Sequence, residues 1–386
     1  MAEGISAIIP KVMRNPMPSR ALRVLFDESL AVNPAGTGTF ARGLRRALDG
    51  IDGVEVVGSR IGGESMRSIE VARKPLRRRL GSAAAHLRYY GLVLPARARK
   101  IHADVVFSPS TLGPLRGPTP WVVTVHDLAP LEQAATMHWL SRIYLRRTLE
   151  LQLRRATAVC TVSAAVRAEL GERFPELDGD RVHVVPDAPD LELLAAEPRP
   201  LEGLDRPFLL MVGTIEPRKN QVTALRALAR YLEREPGSPL VLVMAGSPGW
   251  LVEPIVKEID RLGLGSRVRR TGRVDPARLS WLYRHARALL FPSLYEGFGI
   301  PVIEAFALGC PVIAARIPPV CEVAGADGAT LLDPLEVEPW AEAIAAAAAA
   351  PPDPARVEAA RARAAAFTWE ASAGALHRAL LSAVQR

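Results

Sequence analysis

Two carboxylates, Glu296 and Glu304, stand at the two ends of one apolar turn within the stretch FPSLYEGFGIPVIEAFALGCPVIA at 291–314. A carboxylate in such surroundings is costly unless something pairs with it or binds to it. ALLFPS reads as a buried strand, YEGFGIP as a turn whose Gly297 and Gly299 let the backbone approach a ligand, and VIEAFALGC as a short helix stopped by Gly309. Glu304 then falls in the first helical turn, where backbone N–H groups and a carboxylate together grip a polar ligand; the same placement also fits an ordinary carboxylate complementing the helix dipole. A second group is cationic. Arg218 and Lys219 follow the strand FLLMVG and precede a helix starting near Asn220. Cations are disfavoured at that end of a helix, so an anion shared by the pair and the helix N-terminus is expected.

Other residues are more ambiguous. His126 closes the strand WVVTV ahead of Asp127, and a lone histidine there is more often structural than catalytic. GTGTFA at 36–41, with Arg60 after the second strand, fits a dinucleotide fingerprint, but ESLAVNPA separates Gly36 from Asp27, whereas that fingerprint closes the strand directly. Asp178 and Asp180 have the Asp-x-Asp spacing that can hold a divalent ion. PELDGDR lies between a helix and a strand, on the wrong side of the unit for a site at strand carboxyl ends, and reads as a surface turn. No Ser/His/Asp or Cys/His set is positioned for nucleophilic catalysis, and Cys310 reads as a small buried residue.

Strands and helices alternate along the chain, which argues parallel sheets covered on both faces. Strands are expected at 21–28, 54–59, 105–110, 121–127, 157–163 and 182–187. A second series, at 208–213, 240–246, 268–273, 288–293, 311–315 and 329–333, restarts after the Pro- and Glu-rich segment 191–207. Two such series predict two Rossmann-like domains, with substrates in a cleft at the carboxyl ends of both sheets. The Ala-rich stretch 342–366 reads as helix, proline-broken turn and helix.

Taken together, these motifs resemble the retaining nucleotide-sugar glycosyltransferases of family 4, which have the GT-B fold. The likeness rests on the glutamate pair, on VGTIEPRKN at 212–220, TVHDL at 124–128 and TVSAAVRAEL at 161–170, and on AGSPGW, TGRV, LYRHARALLFPS, PPVCEVAG and FTWE in family order, from about residue 22 to the C-terminus. It implies an α/β, GT-B architecture of two Rossmann-like domains facing across a deep cleft, the last helix crossing back to the first domain. Residues 1–20 would be disordered, 21–190 with the crossover helix 370–386 the acceptor domain, and 191–369 the donor domain. Arg218, Lys219 and Gly213 would meet the donor diphosphate, and Gly36, Thr37 and Gly38 would reach the donor phosphates or the acceptor from the first domain. Glu296 would accept bonds from the transferred sugar, while the backbone around Phe298, Gly299 and Ile300 approaches sugar and phosphate. Glu304 would hold the ribose diol, and the backbone of Arg273 and Val274 would read the base. His126 would support the developing positive charge through its carbonyl. The catalytic set would be His126, Glu296, Arg218 and Lys219, with front-face transfer, retention, no cofactor and no metal. The resemblance is strongest to the bacterial mannosyltransferase branch of O-antigen and polysaccharide synthesis, so mannose from GDP-mannose is the first choice, with UDP-glucose, UDP-N-acetylhexosamine or dTDP-rhamnose as alternatives and a glycan or lipid-linked acceptor.

Composition bounds the reading independently. At 386 residues the chain accommodates two ordinary domains, and no segment approaches the ~18 apolar residues of a membrane span. The N-terminus has its basic residues after its apolar run, the wrong order for a signal peptide, and three cysteines without metal-ligand spacing favour a reducing cytoplasmic compartment. Residues 1–190 carry 27 Lys and Arg against 19 Asp and Glu, whereas 191–386 carry 22 of each, so the first half holds the entire formal net charge of +8. Residues 73–100 contain nine Lys and Arg and no acid, and 140–155 is a second basic helix candidate. Two readings stay open for 73–100: a solvated basic face, or an amphipathic surface for an anionic membrane on the inner face of the cell. Nucleic acid ranks below both, for want of a recognition motif or aromatic platform. Two readings from other classes remain, a GT-B-fold sugar-nucleotide epimerase, for which no acid–base carboxylate pair is apparent in the first half, and a catalytically silent membrane-associated scaffold.

Overall fold

A computed structural model of the chain describes residues 20–33, 36–60, 84–132 and 139–386. The expected disordered segment 1–20, apart from Arg20, and the part of the basic stretch before residue 84 lie outside the described residues.

All twelve expected strands are present, each trimmed at an end by no more than a few residues. In the first domain they are β1 (Leu22–Asp27), β2 (Val54–Ser59), β3 (Val105–Ser108), β4 (Trp121–Val125), β5 (Ala158–Thr161) and β6 (Val182–Val184). In the second they are β7 (Phe208–Val212), β8 (Val241–Ala245), β9 (Val268–Gly272), β10 (Leu289–Phe291), β11 (Val312–Ala315) and β12 (Thr330–Leu332). Every pairing is parallel, in the orders β2-β1-β3-β4-β5-β6 and β12-β11-β10-β7-β8-β9. Continuous apolar runs such as WVVTV and VLVMA form strands because helices cover both faces and every residue of these two strands is buried. Strand order reverses between β1 and β3 in one sheet and between β7 and β10 in the other. In parallel α/β sheets ligands bind at the carboxyl ends beside such switch points. The loops after β7 and β10 carry Arg218, Lys219 and Glu296.

The C-terminal helix Trp369–Gln385 packs on the first sheet, as expected of a crossover. Trp369 donates its indole N–H to the Pro189 carbonyl at 3.0 Å, and Ser372 donates to the Pro186 carbonyl at 2.7 Å. A Cβ on Gly43, in the helix Gly36–Leu48, would lie 2.3 Å from the Trp369 ring, so this glycine admits the indole. The Ala-rich stretch forms helices Val337–Ala349 and Pro354–Ala364, the second capped by Asp353. The linker after residue 190 is more ordered than its composition predicts: Asp190 caps the short helix Leu191–Ala195, and Arg199 pairs with Asp275 at 2.8 Å.

The basic stretch divides differently from a free amphipathic helix. A π-helical turn at Tyr89–Val93 runs into the helix Leu94–Lys100, and Tyr89, Tyr90 and Leu94 belong to the core. Both tyrosine hydroxyls donate to the buried Asp27 carboxylate, at 3.1 and 2.9 Å, as do the hydroxyls of Ser29 and Ser108. Both open readings of the stretch, a solvated basic face and a membrane surface, place its residues outside; these bonds to the buried Asp27 hold the two tyrosines inside. Leu87, Leu92 and Val93 remain exposed beside Arg97, Arg99 and Lys100.

Candidate functional site

The loop after β7 leaves the strand at Gly213, turns through Pro217–Lys219 and enters the helix Gln221–Arg234 at Asn220. Asn220 takes φ 51° and is secured by its amide, which donates to the Pro292 and Pro334 carbonyls at 3.1 and 2.7 Å. The loop after β10 runs from Pro292 to Gly299, where φ of 115° favours glycine, and the helix Ile300–Ala307 follows.

These two loops meet in a compact ionic cluster. Lys219 Nζ donates to Glu296 Oε1 at 2.5 Å, and Arg218 Nη1 donates to Glu296 Oε2 at 3.1 Å and to the Tyr295 carbonyl at 2.8 Å. On its other side Arg218 pairs with Glu216 at 3.0 Å. Both glutamates are buried. Burial alone would raise the Glu296 carboxyl, but the Lys219 and Arg218 cations outweigh it and hold the group at about 2. Burial pulls the Lys219 ammonium down against the attraction of Glu296, whereas for Arg218 the surrounding carboxylates override burial and raise it. The cluster is largely removed from water, with its opposite groups in direct contact. Its two cations pair with two internal carboxylates.

Glu304 occupies a separate, acidic environment. It lies in the middle of its helix, buried, with the Tyr283 hydroxyl donating to Oε2 at 3.0 Å. Burial, with the Asp190 charge nearby, pushes it up to about 8. Asp187, in the segment joining the domains, is also raised by burial and by Glu304, and its Oδ1 has no hydrogen-bond partner.

The first domain approaches the same loop. The His126 ring nitrogen Nε2 lies 2.9 Å from the Pro109 carbonyl, so it carries the proton; Phe40 packs edge-on at 4.8 Å, and burial lowers the ring's proton affinity. The His126 carbonyl rests on Gly297 so closely that a Cβ there would fall 1.7 Å from the oxygen. Gly36, Thr37 and Gly38 open the helix Gly36–Leu48, and a Cβ on Gly36 would lie 3.0 Å from the Ile300 methyl.

The structure thus brings together Arg218, Lys219, Glu296, His126 and the turn of Phe298, Gly299 and Ile300, with Gly36 across the interface. Phe298 points into the core, edge-on to Phe367, leaving only its backbone for a ligand. Gly213 lies under the Lys219 stem. Arg273 and Val274, at the end of β9, make no side-chain bond to the cluster; Arg273 is exposed. Asp178 and Asp180 form a surface turn in which Asp178 accepts from the Asp180 N–H and pairs with Arg386, remote from both strand-end loops. Sequence reasoning overlooked Glu216, Tyr283, Tyr295 and Asp187. Glu216, in IEPRKN two residues before Arg218, was the most readable of these, as a carboxylate beside two cations.

Two parallel α/β domains with a buried ionic cluster where strand order reverses have the layout in which α/β proteins bind ligands at strand carboxyl ends. The sequence matches the profile of the glycosyl transferases group 1 over residues 196–363 and that of glycosyltransferase family 4 over residues 34–193. The chain belongs to the family 4, group 1 glycosyltransferases. Among curated relatives, it is 29% identical over 225 residues to O-antigen chain mannosyltransferase B of Escherichia coli, covering 56% of this chain and 58% of that protein. It is 33% identical over 273 residues to the D-inositol 3-phosphate glycosyltransferase of Nocardia farcinica, covering 67% and 60%. It spans somewhat less of the MMP alpha-(1->4)-mannosyltransferase of Mycolicibacterium hassiacum, 54%, at 31% identity over 57% of this chain. The chain therefore spans between 54% and 60% of the length of these relatives. Among solved structures, sucrose-phosphate synthase from Thermosynechococcus elongatus superimposes with a TM-score of 0.71 at 22% identity, over 94% of this chain and 99% of that one. Anabaena HepE, in complex with UDP and glucose, does so with 0.65 at 18%, over 94% and 100%. At these identities the likeness establishes the fold, which is GT-B.

Proposed function

We propose that this chain is a retaining hexosyltransferase that moves a sugar from a nucleotide-sugar donor to a hydroxyl of a glycan or lipid-linked acceptor, without metal or cofactor. The observation that carries this is the buried Arg218–Lys219–Glu296 cluster at the β7/β10 switch point. When the donor enters, its diphosphate replaces Glu296 as the partner of the two cations, and the released carboxylate accepts bonds from sugar hydroxyls. Departure of the diphosphate toward Arg218 and Lys219 stabilises its growing charge. The sugar passes through an oxocarbenium-like state, the acceptor hydroxyl attacks from the same face, and a departing phosphate oxygen takes its proton. Glu304 accepts from the ribose diol, and His126 lies beside the transferred sugar.

Mannose from GDP-mannose is the first reading of the donor, supported by two relatives named as mannosyltransferases. UDP-glucose is the second, because HepE was solved with UDP-glucose. Exposed Leu87, Leu92 and Val93 beside Arg97, Arg99 and Lys100 support a peripheral role at an anionic membrane. The function is tested by incubating the protein with GDP-mannose, UDP-glucose, UDP-N-acetylglucosamine and dTDP-rhamnose in chelator, and measuring thermal stabilisation and slow hydrolysis. Stabilisation and hydrolysis by one donor support the reading; no response to any of them defeats it.

A further inference from the structure

The helix Ala164–Arg173 of the first domain carries polar groups that the chemistry above does not use, and they converge on the loop that bears Glu296. Ser163 caps this helix by accepting from the Val166 N–H at 3.1 Å, and the same hydroxyl donates across the domain boundary to the Gly297 carbonyl at 2.7 Å. One turn further on, Glu169 accepts from the Tyr295 hydroxyl at 2.9 Å, and that hydroxyl accepts in turn from the Leu128 N–H at 2.8 Å. Both residues flanking Glu296 are thus held from the opposite domain.

A third contact runs the other way. Glu322, in the second-domain helix Pro318–Ala324, places one carboxylate oxygen on the Ala164 N–H and the other on the Ala165 N–H, each at 2.9 Å. A carboxylate on these N–H groups satisfies orphan donors and complements the dipole. Arg363 holds the Glu322 end of that helix by donating to the Glu322 and Val323 carbonyls, at 2.5 and 3.0 Å. Each of these interdomain contacts exchanges for water when the domains part, so the net preference for closure is modest and open to bias by a ligand.

We propose that Ser163, Glu169, Tyr295 and Glu322 form an interdomain clamp that sets the position of the Glu296 loop, so that Glu296 is placed for the transferred sugar only when the two domains close. These are positioning residues: none of their side chains bonds to Arg218, Lys219 or Glu296. The Tyr295 backbone carbonyl accepts from Arg218, a bond that does not involve the Tyr295 hydroxyl. The inference rests on the proposed donor site for its catalytic consequence, but not for the closure itself.

The test compares the wild type with Tyr295→Phe, Glu322→Ala and the double variant. Tyr295→Phe removes only the bridging hydroxyl and leaves the ring in place, so a folding failure of the others does not remove the test. Small-angle scattering of the nucleotide-free proteins reads closure directly: the double variant should have a larger radius of gyration than the wild type. Titration with GDP, UDP and dTDP reads the donor site: affinity should stay within about twofold, while turnover of the active donor falls at least fivefold. An unchanged radius of gyration overturns the clamp whether or not any nucleotide binds. Loss of nucleotide affinity with unchanged closure overturns it too, by placing these residues in donor binding. Failure of the wild type to bind GDP, UDP or dTDP would refute the function while leaving the scattering result to decide the clamp.

Discussion

Glu304→Gln should flatten the pH dependence of stability, because the wild-type carboxyl is buried against like charge. Its native value of about 8 lies above the ordinary 4.5, so protons favour the folded state. The resulting stability is fully present below 4.5 and is lost as pH rises through about 8. Between pH 6 and 8 two pH units apply, each worth ~1.4 kcal/mol, so the wild type should lose roughly 3 kcal/mol relative to the variant by pH 9. The neutral amide keeps the shape and can still accept from Tyr283, which bonds Oε2 at 3.0 Å. Removing the Glu304 charge also relieves Asp187, whose carboxyl it helps to raise, and adds to the difference. For a domain of this size, roughly 3 kcal/mol corresponds to about 6–12 °C in melting temperature. Calorimetric melting of both proteins at pH 6, 7, 8 and 9 measures this. Parallel curves would refute the argument, since they would mean that the carboxyl is already ionised in the folded protein. The same variant should bind nucleoside diphosphates more weakly at pH 8, where the wild-type group begins to offer a charged acceptor to the ribose diol.

Three other changes address separate parts of the account. Lys219→Met leaves Glu296 buried with Arg218 alone, so its carboxyl should rise, affinity for GDP or UDP should fall at least tenfold by titration, and stability should drop by about 1–3 kcal/mol in urea melts. Gly297→Ala puts a Cβ on the His126 carbonyl oxygen, so the loop and the first domain must separate; turnover should collapse while nucleotide affinity, measured by titration, changes less. Asp27→Asn replaces a buried acceptor of two tyrosine and two serine hydroxyls with a group that can satisfy only some of them, and should cost roughly 1–3 kcal/mol by chemical denaturation.

The strands were legible because parallel sheets require apolar runs separated by helices, and runs such as VLVMA have no other stable placement. The proximity of Arg218, Lys219 and Glu296 was legible for a related reason. Arg218, Lys219 and Glu296 follow two strands that are distant in sequence, and adjacency of β7 and β10 follows from the reversal of strand order. The direct pairing of Lys219 with Glu296 was not legible, since both residues were assigned to a ligand and neither to the other. The burial of Tyr89 and Tyr90 was not legible either. They sit in a strongly basic stretch, and nothing local indicates that a buried aspartate 62 and 63 residues earlier claims their hydroxyls. Ser163, Glu169 and Glu322 were equally silent, because a serine before a helix and two surface-type glutamates acquire their role only when the domains meet.

Titration of GDP-mannose and UDP-glucose into the wild type and Lys219→Ala, in chelator, tests the central claim most directly. The account predicts that the wild type binds one of them without divalent metal and hydrolyses it slowly, and that Lys219→Ala binds it at least tenfold more weakly. Equal binding by both proteins would contradict the placement of the diphosphate on the Arg218–Lys219–Glu296 cluster, and absence of binding by either would contradict both donor readings, GDP-mannose and UDP-glucose.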